Sequence, residues 1–246
     1  MDLTIKPIKT SKDNIKQPKL SELGIIPRLG SSNLLVGKSG CGKTTLLHNL
    51  ICDKRFFDGA NSFTNIFLFS PSGSTDDIQL SMKIRPEFLC VDLDTAPERL
   101  AVIYAHQTKL IEELGAARAP QILLLFDDCI SHTKFMGSKD FIRSFVASRH
   151  FNATVFVLAQ HFNKVPRVCR LQAQFLFFFP MSLSALQTLC DEFCPSGMSR
   201  RNFCMMVEDA LDEKFNFLSI NMRETDERKR FRKNLSQIIN ITAYKK

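Results

Sequence analysis

The sequence predicts an α/β protein in which a mostly parallel central sheet is flanked by helices. Short apolar runs alternate with longer amphipathic segments along most of the 246 residues, and this alternation is typical of parallel strands covered by helices. One such run, Asn33–Val36, leads through a glycine-rich turn into a segment that favours a helix. Another, Gln121–Asp127, is mostly apolar and is followed by Asp128, so carboxylates stand where ligands of open α/β sheets bind.

The individual elements follow from that alternation. The short apolar runs predict strands at Asn33–Val36, Thr64–Ser70, Phe88–Val91, Gln121–Asp127, Ala153–Leu158, Phe175–Phe179 and Phe215–Ile220. The longer amphipathic segments predict helices at Lys43–Cys52, Pro97–Leu114, Lys139–Ser148, Leu183–Cys190 and Arg200–Leu211. We expect these elements to form one core over residues 21–222, with a Lys-rich arm at 1–20 and a charged tail at 223–246.

The segment from Gly37 to Thr44 matches the phosphate-binding pattern G-x-x-x-x-G-K-[ST]. Its glycines let the backbone curl so that successive N–H groups point at phosphate oxygens. The Lys43 ammonium is placed to reach the β- and γ-phosphates, and the Thr44 hydroxyl is placed to bind Mg²⁺. The sequence therefore predicts an ATPase of the P-loop class, with ATP and Mg²⁺ as cofactors. The residues expected to contact nucleotide are Gly37, Lys38, Ser39, Gly40, Cys41, Gly42, Lys43, Thr44 and Thr45.

Four further residues are candidates for the chemistry. Asp127 is the expected second Mg²⁺ ligand, and Asp128 is the candidate that orients or deprotonates the attacking water, although it could be an exposed turn acid. Gln160 follows the strand Ala153–Leu158 and is either a γ-phosphate sensor or a polar strand cap. Arg149 precedes that strand and is expected at the opposite edge of the sheet. It is therefore either structural or a finger inserted into a neighbouring subunit's site.

The composition bounds the partners. A formal net charge of +8 favours a polyanionic partner.

The eight cysteines follow no secretory leader, which favours free thiols in a reducing compartment. The spacing of Cys190, Cys194 and Cys204 leaves a zinc site as a minor alternative. No apolar run approaches the roughly 18 residues of a membrane span, so no span is expected.

Other nucleotide-binding classes lack their signatures. The nearest match to the guanine-specifying N-K-x-D is Asn163-Lys164-Val165-Pro166, in which proline replaces the aspartate. No LSGGQ-like stretch of a transport ATPase occurs, and Arg200-Arg201 is the only compact candidate for a kinase lid.

The order of these motifs resembles the A32-like packaging ATPases of large DNA viruses, virophages and related mobile elements, within the FtsK–HerA superfamily of P-loop NTPases. The resemblance rests on GKSGCGKTT at Gly37–Thr45, ILLLFDD ending at Asp128, SRH at Ser148–His150, LAQ at Leu158–Gln160 and VPRVCRLQAQFLFFF at Val165–Phe179. It spans roughly Leu34 to Phe179. Many members of the superfamily carry glutamate where this chain has Asp128.

That resemblance implies a function. Arg149 would be a finger acting in trans and Gln160 the sensor. The protein would form a homo-oligomeric ring, pentameric or hexameric, that moves double-stranded DNA into a preformed capsid at its portal vertex. It would act in the host cytoplasm or a viral replication compartment and could be virion-associated. Four basic residues after the central strands could face the DNA or be ordinary surface charge: Lys134, Lys139, Lys164 and Arg167.

Two other functions stay open from the sequence. One is a DNA helicase or conjugation-type DNA pump of the same superfamily. The other is an assembly protein whose oligomeric state is gated by nucleotide and whose hydrolysis is incidental. Strand preference and dependence on a capsid would separate the first from packaging, whereas an Asp128→Asn variant that binds ATP and still functions would favour the second.

Overall fold

The computed structural model describes residues 15–57, 62–73 and 77–245. Most of the predicted N-terminal arm, residues 1–14, therefore lies outside the described residues. Its last part does not extend away from the core. Ile15 and Leu20 are partly buried against apolar residues beneath the sheet, and a short helix, α1, spans Lys19–Glu22.

The described residues form one nine-stranded sheet. In chain order the strands are β1 Ser32–Val36, β2 Asn65–Phe69, β3 Leu89–Cys90, β4 Ile122–Asp127, β5 Ala153–Ala159, β6 Phe175–Phe178, β7 Leu218–Asn221, β8 Phe231–Lys233 and β9 Gln237–Ile238. They lie in the order β3-β2-β4-β5-β1-β6-β7-β8-β9. The strands from β3 to β6 in that order are parallel, and β7, β8 and β9 continue the sheet in antiparallel fashion.

Helices cover both faces of this sheet. After α1 they are α2 Lys43–Cys52, α3 Asp77–Met82, α4 Ala96–Leu114, α5 Thr133–Met136, α6 Lys139–Val146, α7 Arg167–Gln172, α8 Leu183–Phe193, α9 Arg200–Ala210 and α10 Glu227–Arg230. Because side chains alternate along a strand, β1 contributes to both layers. Leu34 and Val36 belong to the larger apolar cluster, whereas Leu35 packs in the second cluster with Leu47 of α2.

The predicted fold class is confirmed: a mostly parallel central sheet with helices on both faces. Helix α2 has the bounds that the sequence predicts, and β4 differs by one residue. The prediction of a strand starting at Phe215 is wrong, since β7 begins at Leu218. Phe215 has a φ of +70°, which lies outside the extended region and cannot continue a strand. Helix α7 falls in a segment to which the sequence assigned no helix.

Residues 223–245 do not form the separate tail that their charge predicts. Strand β8 pairs with β7, with Ser219 opposite Arg232, and Phe231 and Ile241 are buried in the larger apolar cluster. Ile239 and Tyr244 are partly buried against the same cluster. Apolar side chains thus hold a charged stretch in the fold, because their burial removes apolar surface from water. Within the described part of the chain, no helix is long and apolar enough to cross a membrane.

Candidate nucleotide-binding and catalytic site

The turn between β1 and α2 has a backbone that requires glycine at several positions. Gly40 and Gly42 have φ values of +70° and +105°, which residues with a Cβ atom rarely adopt. A Cβ built on Gly37 would lie 2.6 Å from Cβ of Phe179 and 2.7 Å from the sulfur of Cys41. The glycines of the sequence pattern are therefore explained by conformation at one end of the turn and by packing at the other.

Lys43, the first residue of α2, closes the turn. Its Nζ donates hydrogen bonds to the carbonyl oxygens of Gly37, at 2.8 Å, and Lys38, at 2.9 Å. The ammonium therefore stands among the residues of the loop, where the sequence pattern places it.

A cavity of about 420 Å³ lies over this turn at the carboxyl ends of the parallel strands. It brings together nine of the predicted site residues: Ser39, Gly40, Gly42, Lys43, Thr44, Thr45, Asp127, Asp128 and Gln160. Its lining is mostly polar. The sequence missed three further lining residues, Ser72, Asp77 and Phe215, because they come from segments that match no known motif.

Gly37, Lys38 and Cys41 do not line that cavity. The N–H of Gly37 donates to the carbonyl of Ala159 at 3.1 Å, and the N–H of Lys38 donates to that of Pro180 at 3.3 Å. These two amides thus tie the loop to neighbouring segments. Their contact with nucleotide, and that of Cys41, stays a prediction.

Asp128 and Gln160 meet in the cavity. Strands β4 and β5 are parallel neighbours with Asp127 opposite Leu158, so the residues that follow them emerge at the same edge. Nε2 of Gln160 donates to Oδ1 of Asp128 at 3.0 Å. Asp128 has a φ of +49°, a strained conformation for a residue other than glycine and one that is common at functional sites.

The donor set in the cavity suits a hard divalent cation. The Thr44 hydroxyl and the carboxylates of Asp127 and Asp128 line the same space, and oxygen donors of these kinds are the ligands that Mg²⁺ prefers. Asp127 also accepts a hydrogen bond at 3.0 Å from the backbone N–H of Asp128. These residues therefore fit the Mg²⁺ ion that the sequence predicts.

Arg149 lies at the other end of β5, in the turn Ser148–Phe151. That turn is fixed to the start of β1, because the Ser148 hydroxyl donates to the carbonyl of Gly30 at 3.0 Å and the N–H of Gly30 donates to the Thr154 hydroxyl at 2.9 Å. The Arg149 side chain is exposed. The structure thus places Arg149 at the edge of the sheet opposite the phosphate cavity.

Two more arginines accompany Arg149 at that edge. Desolvation lowers the pKa of Arg223, and the positive charges of Arg28 and Arg149 lower it further. Arg28 and Arg223 line a second cavity, of about 220 Å³. No sequence pattern predicts this grouping, which we call the arginine cluster (Arg28, Arg149 and Arg223).

The remaining sequence candidates have simpler surroundings. Lys134, Lys139, Lys164 and Arg167 are all exposed. Lys134 lies 3.9 Å from Asp94 in a weak, solvent-screened ion pair. Arg167 lies 3.7 Å from Glu192, a largely buried carboxylate that also pairs with Arg170 at 2.6 Å.

Cys190 and Cys204 form a close pair of thiols and belong to no metal centre among the described residues. The sulfurs of Cys190 and Cys204 lie 2.7 Å apart, and burial raises the pKa of Cys190. Across residues 15–57, 62–73 and 77–245, no group of three or more His, Cys, Asp or Glu side chains is arranged to hold a metal ion.

Fold and site together define the class: this chain has the fold and the phosphate loop of the P-loop NTPases, with the loop after β1 and the acidic pair at the end of β4. Comparison with known proteins gives the family. A family model described as "Poxvirus A32 protein" matches residues 32–214. The chain therefore belongs to the poxvirus A32 protein family, as its motif order indicates.

Individual relatives are more distant. "Uncharacterized protein 015R" of Frog virus 3 (isolate Goorha) is 27% identical over 171 residues, which is 67% of this chain and 50% of that protein. The chain thus spans about half the length of this curated relative. Among solved structures, the genome packaging NTPase B204 from Sulfolobus turreted icosahedral virus 2, in complex with AMP, superposes with a TM-score of 0.59 and 14% identity, covering 85% of this chain and 98% of B204.

A second solved structure shares the fold. The pCW3 conjugation coupling protein TcpA, in its monomer form with ATPgS, gives a TM-score of 0.57 with 12% identity and covers 87% of this chain and 62% of TcpA. At such identities the two likenesses establish the common fold alone.

Proposed function

We propose that this chain is an ATP-driven motor that moves double-stranded DNA into a preformed viral capsid. Membership of the A32 family and the fold shared with B204, a genome packaging NTPase, support this function. The observation that carries it is the position of β5, which begins beside Arg149 and ends beside Gln160. One strand thus connects a hydrolytic site to an arginine that can complete the site of another subunit.

The loop and Lys43 bind the triphosphate in this proposal. Backbone N–H groups at the start of α2 and the Lys43 ammonium offset the charge of the phosphates. Thr44 and Asp127 would hold Mg²⁺, which would supply positive charge to offset that of the phosphates.

Asp128 and Gln160 act on the attacking water. The Asp128 carboxylate accepts a proton from it, and the Gln160 amide holds that carboxylate in place through its 3.0 Å hydrogen bond. Since Nε2 of Gln160 is the donor in that bond, Oε1 is directed elsewhere and can accept from the same water.

Arg149 acts in trans in the proposed ring. An arginine at the amino end of β5 cannot reach the phosphates of its own subunit, but it can reach those of a neighbour if subunits pack edge to edge. A guanidinium there would stabilise the charge that develops on the transferred phosphoryl group. The ring is pentameric or hexameric in this proposal, as the family resemblance implies.

The exposed basic residues near the phosphate cavity bind the DNA. Lys134, Lys139, Lys164 and Arg167 follow the carboxyl ends of β4 and β5, and their long side chains can contact phosphates without reading bases. Such binding suits a motor that must move any sequence. We place this activity at the capsid portal vertex, in the host cytoplasm or a viral replication compartment.

The test is ATP hydrolysis by the purified protein with and without long double-stranded DNA. We expect DNA to stimulate hydrolysis and Arg149→Ala to bind ATP but turn over slowly. Mixing Arg149→Ala with Asp128→Asn should restore part of the activity, since the second variant supplies Arg149 to the intact site of the first. Hydrolysis that ignores DNA, together with an unimpaired Arg149→Ala, would remove the motor and leave an ATPase.

The alternatives differ in what the same assay shows. A helicase or a conjugation-type pump, the second being favoured by the fold shared with TcpA, would act without a capsid, and a helicase would prefer substrates with single-stranded tails. A nucleotide-gated assembly protein would retain its function in the Asp128→Asn variant as long as that variant binds ATP.

A further inference from the structure

A third cavity, which is largely apolar, adjoins the phosphate cavity. Its volume is about 550 Å³, and its apolar lining includes Leu46, Phe56, Phe179 and Phe217. The two cavities share Gly42, Thr45 and Phe215. The two cavities therefore adjoin at these three residues, so the base of a nucleotide held in the polar cavity would lie beside the apolar one.

The apolar cavity lies along one side of α2. Gly42, Thr45, Leu46 and Asn49 all line it, and residues spaced by three, four and seven positions lie on one face of a helix. A nucleotide whose phosphates are held at the start of α2 would therefore extend its sugar and base along this face.

Phe215 lies at the junction of the two cavities with an unusual backbone and exposure. Its side chain is 54% exposed, and its φ of +70° lies in the left-handed region, which costs a phenylalanine energy. A Cβ built on Gly42 would lie 3.5 Å from Cδ1 of the Phe215 ring. The ring is thus held next to the phosphate loop at a cost in both strain and exposed apolar surface.

We propose that this apolar cavity binds the nucleobase of the nucleotide and that the Phe215 ring stacks on the base. The proposal rests on the proposed binding of ATP at the phosphate loop and adds the residues that bind the base. Stacking on an aromatic face explains why a large apolar side chain is exposed here, because the base covers the ring when it binds.

Three polar side chains that line this cavity have partners within the protein, and the first, Arg55, pairs with Asp53 at 2.7 Å. The Asn49 amide donates to the carbonyl of Thr45 at 2.8 Å. The Asn234 side chain accepts from the N–H of Phe217 at 3.1 Å and donates to Asn216 at 2.9 Å. Since stacking accepts any base with a large π-face, we expect ATP and GTP to bind with similar affinity and pyrimidine nucleotides to bind more weakly.

The test compares binding of ATP, GTP, CTP and inorganic tripolyphosphate to the wild-type protein and to Phe215→Ala. We expect the Kd for ATP to rise at least about fivefold, the loss that an aromatic stacking contact implies, while the Kd for tripolyphosphate stays unchanged. Phe215→Tyr should restore ATP binding, since it keeps the ring. Met205→Ala is the control, because Met205 is an apolar side chain of α9 that is 49% exposed and lines neither cavity.

A Phe215→Gly variant guards against misfolding, since glycine adopts the left-handed backbone without strain. It should keep the melting temperature of the wild type and show the same selective loss of ATP binding. Unchanged ATP binding in both variants, or equal weakening of ATP and tripolyphosphate, would overturn the base site while leaving the phosphate site intact. Wild-type protein that binds neither ligand would overturn the nucleotide site itself, and the base site with it.

Discussion

The two ends of the parallel strands differ in charge and in chemistry. The carboxyl ends carry the phosphate loop, the acidic pair and Gln160 around one polar cavity, whereas the amino ends carry the arginine cluster. Strand β5 has seven residues, so its two ends lie about 20 Å apart at the usual rise of a strand. No side chain spans that distance. An arginine end and an acidic end can therefore take part in one reaction only if they belong to two different molecules.

The largest expected effect tests the arginine end. Arg149→Lys should reduce kcat about 10³-fold, nearly as much as Arg149→Ala, because an ammonium lacks the planar fork that contacts several phosphate oxygens at once. Binding of ATP should be unaffected, as measured by isothermal titration. Arg201→Lys, an exposed arginine on α9, is the matched control and should retain full activity. A fully active Arg149→Lys variant would show that this end contributes only structure.

A smaller effect is expected at the carboxyl end. Gln160→Ala removes the hydrogen bond to Asp128 and the group proposed to orient water, so kcat should fall about 10²-fold, as for loss of a positioned catalytic group. The KM for ATP should change little, since Gln160 is not expected to bind the ground state. Steady-state kinetics separates the two parameters. A rise in KM at constant kcat would make Gln160 a binding residue and contradict its proposed role in positioning Asp128 and the attacking water.

The smallest effect concerns the exposed lysines. Lys134→Ala and Lys164→Ala should each weaken binding of double-stranded DNA equally for all sequences, and each should reduce the slope of log K against log salt by about 0.9. Fluorescence anisotropy at several salt concentrations measures that slope. Lys109→Ala, on the exposed face of α4, should leave it unchanged. Slopes that do not change in either variant would place the DNA elsewhere on the molecule.

The carboxyl end could be predicted from the sequence because its determinants are local. The run that forms β4 is buried on both faces, so it appears in the sequence as an apolar segment ending at its aspartates. The meeting of Gln160 with Asp128 then follows from two parallel strands being neighbours. The arginine cluster could not be predicted from the sequence, because Arg28 and Arg223 approach Arg149 only through the tertiary fold.

The C-terminal strands β8 and β9, in contrast, could not be predicted from the sequence. Strand β8 contains two charged residues, and β9 is exposed, so neither has the alternation or the apolar run that marks a strand. Pairing with β7 decides their structure. The predicted start of a strand at Phe215 was wrong for a related reason. Aromatic residues favour strands, and only the tertiary surroundings of Phe215 impose its left-handed backbone.

The central position of β1 has a consequence for how the molecule exchanges its amide hydrogens with solvent. β1 has parallel partners on both sides, β5 and β6, and its five residues are all buried. Its amides should therefore exchange with deuterium only when the whole sheet opens, at a rate set by the global free energy of unfolding. The loop that carries Phe215 should exchange far sooner. Deuterium uptake should thus be slow in β1, which leads into the phosphate loop, and faster in the loop that carries Phe215.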